Sequence, residues 1–211
     1  MNRSGLATAA TQLKRGRLLG VATLLWAAGV SLGAAKLLRY ENTPGELAKA
    51  PVSWPGASKI QRTPGLPTVV VMGHPYCPCT RTTVGELALL MTQLHGKATG
   101  VVAFIHPNGT PEHWEETDLW RSAAAIPGVT VISDQAYREA DLFHAQASGQ
   151  TFLYDAEGNL RFDGGITAAR GHAGDNVGRS SIISLVTGEG NAETTTSVFG
   201  CELHSRTSSG N

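Results

Sequence analysis

The sequence predicts an α/β domain with a mixed central sheet flanked by helices, preceded by one transmembrane helix. Three observations lead to this prediction. An uncharged stretch, residues 18–35, follows a basic N-terminal segment. Short β-branched runs then alternate with segments of helical periodicity, and two short runs within residues 151–165 flank a turn signal. Alternating strands and helices imply right-handed crossovers and parallel pairing, and the hairpin adds an antiparallel pair at one edge.

Composition limits the number of domains and the kind of partner. The chain has 211 residues, of which 41% are hydrophobic and 6% aromatic, which suits one domain with terminal extensions. Its net charge is zero, but residues 1–39 carry six basic side chains and no acidic one, so the remainder holds 11 basic and 17 acidic side chains. An acidic domain does not attract a phosphate backbone, and we therefore exclude nucleic acid as a partner.

The N-terminal segment is expected to anchor the chain in a membrane. Residues 1–17 form a basic cytoplasmic tail and residues 18–38 a transmembrane helix, since eighteen apolar residues rise about 27 Å as a helix. The positive-inside rule then places the domain outside the bacterial cytoplasmic (inner) membrane, as a single-pass protein facing the periplasm. A cleaved signal peptide is the alternative, because residues 31–35 are small enough for a peptidase site. In both cases the domain reaches an oxidising compartment, where disulfides form.

The rest of the chain divides into a linker, a domain and a tail. Residues 39–65 contain four prolines and three glycines, which indicates a spacer that contributes little to the core. The domain covers residues 66–188, and a polar tail follows over residues 189–211. The elements expected in the domain are a strand over 66–72, a helix ending at Gly96, a strand over 100–107, a helix over 111–125, a strand over 127–134, a helix over 135–148, a hairpin over 151–165 and a last helix over 179–186.

Two cysteines follow the first strand at the head of the first long helix. Working sites in such sheets lie beyond the carboxyl ends of the strands, and a helix N-terminus favours the thiolate. Proline is preferred at the first helical position, so Pro78 makes Cys77 the N-cap residue and the exposed nucleophile, with Cys79 two residues after Cys77. His74 either raises reactivity when protonated or only shapes the turn.

The partner of Cys77 is open. Residues two apart on a helix do not face each other, so a bridge to Cys79 requires a bent backbone and is easily reduced. The alternative is Cys201, which lies in an apolar island, residues 198–203, of the polar tail. Such an island indicates a segment docked on the domain, where Cys201 acts either as a resolving thiol or as a structural one.

Metal binding and a purely structural disulfide are the competing uses of the motif. Two thiolates and an imidazole, from Cys77, Cys79 and His74, suit Cu(I), which selects soft sulfur ligands. A closed zinc site lacks a second pair of ligands at finger-type spacing. The glycine-rich segment 164–178 contains no phosphate-loop motif, so nucleotide binding is excluded, and its polar residues receive no role.

The segments "VVVMGHPYCPCTRTTVGEL" and "FLYDAEGNLRFDGG" make residues 66–188 resemble the thioredoxin-like superfamily, in particular its TlpA-like and alkyl-hydroperoxide-reductase-like branches. The segments "HPYCPCTR", "GGITAARGHAGDN" and "VFGC" are similar to membrane-anchored RedB-type proteins. The resemblance implies a thioredoxin-like fold and thiol–disulfide exchange. This sequence departs from the family in two ways: its cysteine pair is one residue shorter than C-x-x-C, and Thr151 stands near the usual cis-proline position, where the resemblance places it opposite Cys77.

We therefore expect a membrane-anchored extracytoplasmic thiol–disulfide oxidoreductase that needs no cofactor and acts on protein thiols or disulfides. Cys77 forms a mixed disulfide with the substrate, and Cys79 or Cys201 resolves it. The alternatives are a copper chaperone with the thioredoxin fold, and a thiol peroxidase in which Cys77 becomes a sulfenic acid.

Overall fold

The structure is a computed structural model that describes residues 3–45 and 48–203, with side chains described from residue 15 onward. The last residues of the predicted tail, 204–211, therefore lie outside the described residues, as do residues 1–2 of the basic segment and 46–47 of the linker. The chain divides after Glu41 into two compact units, each of which is described by itself.

The first unit is a single helix, α1 (Arg3–Glu41). Its part from Arg15 to Glu41 is 27 residues long and contains an 18-residue window with a mean hydropathy of 1.8. A helix of this length rises about 40 Å, more than the roughly 30 Å of a bilayer's hydrocarbon core. The prediction of an N-terminal apolar helix is confirmed, and this helix is a candidate membrane anchor or signal sequence.

The second unit is built on a five-stranded mixed sheet. Its strands are β1 (Thr68–Gly73), β2 (Thr99–His106), β3 (Val129–Gln135), β4 (Gln150–Tyr154) and β5 (Leu160–Gly164), in the spatial order β3-β2-β1-β4-β5. β1, β2 and β3 run parallel, whereas β4 is antiparallel to both β1 and β5. The predicted mixed sheet with an antiparallel pair at one edge is confirmed.

Helices cover both faces of this sheet. They are α2 (Pro78–Leu94), α3 (Asp118–Ala124), α4 (Arg138–Leu142) and α5 (Val177–Thr187). Helices α2, α3 and α5 pack on the face that carries Val69 and Val71, and α4 packs on the face that carries Val70 and Met72. Successive side chains of a strand point to opposite faces, so the fully buried β1 contributes to both halves of the core.

The helix predicted over residues 111–125 is shorter than expected. The hydroxyl of Thr117 accepts hydrogen bonds from the N–H groups of Leu119 and Trp120, which caps α3 and fixes its start at Asp118. Residues 112–115 form turns instead. The expectation of a helix starting at Pro111 is therefore wrong, because a stronger N-cap lies six residues later.

The helix predicted over residues 135–148 is also reduced, to the five residues of α4. The buried carboxylate of Asp134 accepts hydrogen bonds from the N–H groups of Glu139 and Ala140, at 2.7 and 2.9 Å, and so fixes where the helix begins. His144 has a φ of 56°, a left-handed conformation that ends the helix. The order of strands and helices is nevertheless the predicted one.

Part of the predicted linker packs on the domain. Ala50 and Ile60 are buried, and the ring of Trp54 packs edge-on against Phe143 and Tyr154 with centroid distances of 5.2 and 5.1 Å. The N–H of Trp54 donates to the carbonyl of Gly158 at the tip of the hairpin. This stretch completes the core on the α4 face, contrary to the expectation of a small contribution. Strand order, crossovers and hairpin together form the thioredoxin-like fold that the resemblance implies.

Candidate active site

The cysteine motif lies at the carboxyl end of β1, in the turn that leads into α2. Cys77 is the N-cap residue, with φ −84° and ψ 124°, and Pro78 is the first helical residue. The N–H of Cys77 donates to the carbonyl of His74 at 3.1 Å. A Cβ on Gly73 would lie 2.6 Å from Cγ2 of Thr80, so glycine allows the strand end and the helix start to approach closely. The Cys77 sulfur thus lies at the positive end of a 17-residue helix.

Three thiols meet at this point. The sulfur atoms of Cys77, Cys79 and Cys201 all lie within 4.8 Å of one another, and those of Cys77 and Cys201 are 3.6 Å apart. All three cysteines are free thiols. A disulfide bond is about 2.05 Å long, so Cys77 and Cys201 need to approach by about 1.5 Å to form one.

Backbone hydrogen bonds hold Cys201 next to the cysteine motif. The N–H of Ser148 donates to the carbonyl of Cys201 at 2.8 Å, and the N–H of Leu203 donates to the carbonyl of Gln146 at 2.9 Å. A Cβ on Gly200 would lie 1.8 Å from the carbonyl oxygen of Ser148. Only glycine therefore fits at position 200 while the tail lies against the loop before β4.

A second set of contacts holds the tail further upstream. The hydroxyl of Thr196 accepts from the N–H of Gly165 at 3.0 Å and donates to its carbonyl at 2.8 Å. The N–H of Asp163 donates to the carbonyl of Thr194 at 3.0 Å, and the side chain of Val198 is buried. The described part of the tail is therefore an integral layer of the domain.

The docked tail covers the motif. Cys77 and Cys79 are each only 6% exposed, while Cys201 is half-buried. The expectation that Cys77 is an exposed thiol is therefore wrong in this structure, because residues of the tail lie over it. Cys201 is the most accessible of the three cysteines.

The environment of Cys77 favours its thiolate. Burial by itself disfavours the charged sulfur, but hydrogen bonds from the backbone of Thr80 and Cys201, together with the thiol of Cys201, outweigh it. The pKa of Cys77 is consequently lower than that of an ordinary cysteine. A low pKa on a sulfur at a helix N-terminus is the condition for a nucleophilic thiol at neutral pH.

The pKa values of the other two thiols are raised. Burial, followed by the negative charge of Cys77, raises the pKa of Cys79, and the same causes raise the pKa of Cys201 to about 11. Cys77 is therefore the thiol of the cluster that ionises most readily, and its two neighbours ionise less readily than an ordinary cysteine. This asymmetry distinguishes Cys77 from the other two thiols.

Arg170, from the glycine-rich segment 164–178, is a part of the site to which the sequence assigned no role. Its Nη1 donates to the carbonyl of Gly200 at 2.6 Å, next to Cys201. Its positive charge acts against the raised pKa values of both Cys79 and Cys201. The density of charged residues between glycines was the only signal of this role in the sequence.

The rest of the segment 164–178 is fixed by a buried ion pair. Glu86 of α2 is paired with Arg179, and it also accepts hydrogen bonds from the N–H of Gly174 at 2.7 Å and from the side-chain amide of Asn176 at 3.2 Å. The Asn176 side chain in turn caps α5 by accepting from the N–H of Arg179. The loop that carries Arg170 is thereby tied to the helix that carries the cysteines.

His74 shapes the turn before α2, which is one of the two roles that the sequence left open for it. Its Nδ1 accepts a hydrogen bond from the N–H of Tyr76 at 3.2 Å, and its ring packs edge-on against Trp114, 5.5 Å between centroids. Burial lowers the pKa of His74, so the imidazole is neutral at pH 7 and supplies no positive charge to Cys77. Among the described residues, it does not belong to the cluster of potential metal ligands.

Ser148, and not Thr151, forms hydrogen bonds with the residues on either side of the cysteine motif. The N–H of His74 donates to the hydroxyl of Ser148 at 2.8 Å, and the same hydroxyl lies in hydrogen-bond contact with Thr80. Thr151 is fully buried in β4, pairs with Val71 of β1, and donates its hydroxyl to the carbonyl of Gly149. The described backbone contains no cis peptide bond.

No family model matches this chain, and no curated protein matches it in sequence. Solved structures do resemble it. A hypothetical protein of Sinorhizobium meliloti 1021 aligns with a TM-score of 0.55 at 20% identity, over 76% of this chain and 93% of the other. An uncharacterized conserved protein from Geobacillus kaustophilus aligns with a TM-score of 0.55 at 17% identity, over 77% and 93%.

A more distant likeness is to a secreted disulfide oxidoreductase of Mycobacterium tuberculosis, with a TM-score of 0.44 at 13% identity, over 60% of this chain and 84% of that protein. At these identities the comparisons concern the fold alone. The chemistry of this chain has to be argued from its own three thiols.

Proposed function

We propose that this protein is a thiol–disulfide oxidoreductase in which Cys77 is the nucleophile and Cys201 the resolving thiol. The observation that carries the proposal is the 3.6 Å separation of their sulfur atoms at the N-terminus of α2. A sulfur of lowered pKa that touches a second, protonated sulfur has what the two steps of disulfide exchange require.

The reaction proceeds by two displacements. The Cys77 thiolate attacks one sulfur of a substrate disulfide, which forms a mixed disulfide and releases the other half of the substrate as a thiolate that takes up a proton. Cys201 then loses its proton to solvent and attacks the Cys77 sulfur, which forms the Cys77–Cys201 bridge and releases the second substrate thiol. Two electrons pass from protein to substrate, and a dithiol reductant restores the thiols. Read backwards, the same steps oxidise a substrate dithiol.

Cys201 suits the second step better than Cys79. Cys79 lies within the first turn of α2 and is 6% exposed, and a bridge from it to Cys77 closes a small ring that bends the backbone. Cys201 lies on a separate, extended segment whose side chain can rotate toward Cys77. Cys79 then remains as a third, neutral thiol beneath the reacting pair.

The charge balance also favours this order of events. Burial raises the pKa of Cys201, and while Cys77 is a thiolate its negative charge raises that pKa further. Once Cys77 is bound in the mixed disulfide that charge is gone, and Arg170 remains beside Cys201. The first step therefore removes one of the causes that keep Cys201 protonated.

We place the activity at the outer face of a bacterial cytoplasmic membrane. The apolar helix from Arg15 to Glu41 supports either an anchor or a signal sequence, and both lead to an oxidising compartment. There the substrates are protein thiols or disulfides. The likeness of three sequence segments to RedB-type proteins agrees with the anchored form.

The test uses the reduced full-length protein in detergent with glutathione disulfide as substrate, and counts the glutathione thiols released per protein. We expect two from the wild type and from Cys79→Ser, and none from Cys77→Ser. Cys201→Ser releases one and retains glutathione on Cys77, which intact-mass measurement detects. Two thiols from Cys201→Ser with one from Cys79→Ser would assign resolution to Cys79, and no release from the wild type would refute the proposal.

A further inference from the structure

The geometry points to a second use of the same cluster: Cys77, Cys79 and Cys201 form a three-coordinate Cu(I) site. This inference does not rest on the oxidoreductase activity, because it requires only that three cysteine sulfurs surround one point and lose their protons when the ion binds. It also differs from the ligand set that the sequence indicated, since Cys201 takes the place of His74.

The distances between the sulfur atoms fit a trigonal site. A metal about 2.3 Å from each of three coplanar sulfurs holds those sulfurs about 4.0 Å apart. Cys77 and Cys201 are 3.6 Å apart, and no pair in the cluster exceeds 4.8 Å. Adjustments of less than about 1 Å, which side-chain rotation supplies, convert the cluster into a ligand triangle.

The number and type of ligands select the metal. Thiolates are soft donors that prefer Cu(I), whereas a structural zinc ion requires four ligands. Within the part of the chain that the structure describes, this group of three cysteines is the one cluster of potential metal ligands, and it has no fourth member. Three sulfurs without a fourth ligand favour a monovalent, soft ion that accepts low coordination.

The surroundings of the cluster also suit a bound ion. Three thiolates and one Cu(I) carry a net charge of −2, and the guanidinium of Arg170 lies where it offsets part of that charge. The low exposure of Cys77 and Cys79 keeps water away from two ligands, while the half-buried Cys201 leaves a route for the ion to enter. An ion that arrives on another thiolate carrier would meet Cys201 first.

Metal binding and disulfide formation exclude each other at this site. A bridge between Cys77 and Cys201 removes two of the three ligands, so the oxidised protein does not hold the ion. A bound Cu(I) conversely occupies the electron pairs with which Cys77 would attack a disulfide. The protein thus binds Cu(I) only in its reduced form.

The test is an anaerobic titration of the reduced full-length protein with Cu(I) in competition with bicinchoninate. We expect one ion per protein, and a loss of affinity of about 100-fold for Cys77→Ser, Cys79→Ser and Cys201→Ser, because loss of a ligand costs at least as much as loss of an outer-shell partner. His74→Ala is expected to bind like the wild type. Unchanged affinity of Cys201→Ser, or a comparable loss in His74→Ala, would overturn the assignment.

X-ray absorption by the copper-loaded wild type provides a readout that no folding defect of a variant affects. We expect three sulfur neighbours at about 2.3 Å and no nitrogen neighbour. Two sulfurs, or a nitrogen ligand, would contradict the three-thiolate site. Failure here leaves the glutathione experiment untouched, since that experiment measures thiol release in the absence of metal.

Discussion

The sulfur atoms of Cys77 and Cys201 lie 3.6 Å apart although the two residues are 124 positions apart in the chain. This contact joins the start of α2 to the C-terminal tail and closes almost the whole domain into one loop. A bridge between Cys77 and Cys79, by contrast, encloses a single residue. The two pairings therefore have very different consequences for stability.

Oxidation is expected to stabilise the domain strongly. In the chain-entropy description, a bridge that closes a loop of this length adds about 4–5 kcal/mol to the free energy of unfolding. Urea unfolding of the oxidised and reduced full-length protein, followed by tryptophan fluorescence, measures the difference. Cys201→Ser is the control and should show almost no dependence on oxidation. A large stabilisation that persists in Cys201→Ser would contradict the long-range pairing.

The reactivity of Cys77 is expected to persist to lower pH than that of an ordinary thiol. Its lowered pKa leaves it ionised where a normal cysteine, with a pKa of about 8.5, is protonated. Iodoacetamide labelling of the reduced protein between pH 5 and 11, quantified by peptide mass spectrometry, gives a midpoint for each cysteine.

In that titration the labelling of Cys201 should rise only toward the upper end of the pH range, because its pKa is about 11. Cys201→Ala removes a hydrogen-bond donor to the Cys77 sulfur, so the Cys77 midpoint should move to higher pH. Equal midpoints for Cys77 and Cys201 in the wild type would show that the pKa values of the two thiols do not differ.

Docking of the tail depends on Gly200. An added Cβ there meets the carbonyl oxygen of Ser148 at 1.8 Å, and overpacking of this kind costs roughly 1–3 kcal/mol. Gly200→Ala should therefore raise the alkylation rate of Cys77 by about tenfold and slow formation of the bridge. Gly85→Ala is the matched control, because nothing lies within 4 Å of a Cβ at that exposed position of α2. Equal alkylation rates in the two variants would show that the tail does not protect Cys77.

Arg170 is expected to assist the second step and not the first. Arg170→Gln removes the positive charge beside Cys201, so release of the second glutathione should slow by roughly tenfold, the effect of about 1.4 kcal/mol in a charge interaction. The pH optimum of that step should move upward, while Cys77 alkylation keeps its midpoint. Arg170→Lys, which preserves the charge, should recover most of the rate. A loss confined to the first release would argue against this role.

The sequence was sufficient for the sheet and for the position of the cysteine motif. Apolar β-branched runs, a proline after Cys77 and a turn with Gly158 are local signals, and the structure contains the corresponding strands, helix start and hairpin. The sequence predicted longer helices than the observed α3 and α4, because the caps at Thr117 and Asp134 act through side-chain hydrogen bonds that periodicity does not reveal.

The contacts of the site that join residues far apart in sequence could not be predicted from local signals. The contact between Cys77 and Cys201 depends on how the tail pairs with the loop before β4, through backbone groups that every residue has. The approach of Arg170 depends on the ion pair of Glu86 with Arg179, which joins segments far apart in sequence. The neutral state of His74 likewise follows from its burial, which sequence spacing does not determine.

The most direct test of the central claim is the disulfide map of the full-length protein oxidised by glutathione disulfide. Trypsin places Cys77 and Cys79 in one peptide, residues 63–81, and Cys201 in another, residues 180–206. We predict that the two peptides are linked by a disulfide and that Cys79 carries the alkyl label of a free thiol. A bridge contained within residues 63–81, with Cys201 labelled, would contradict the account.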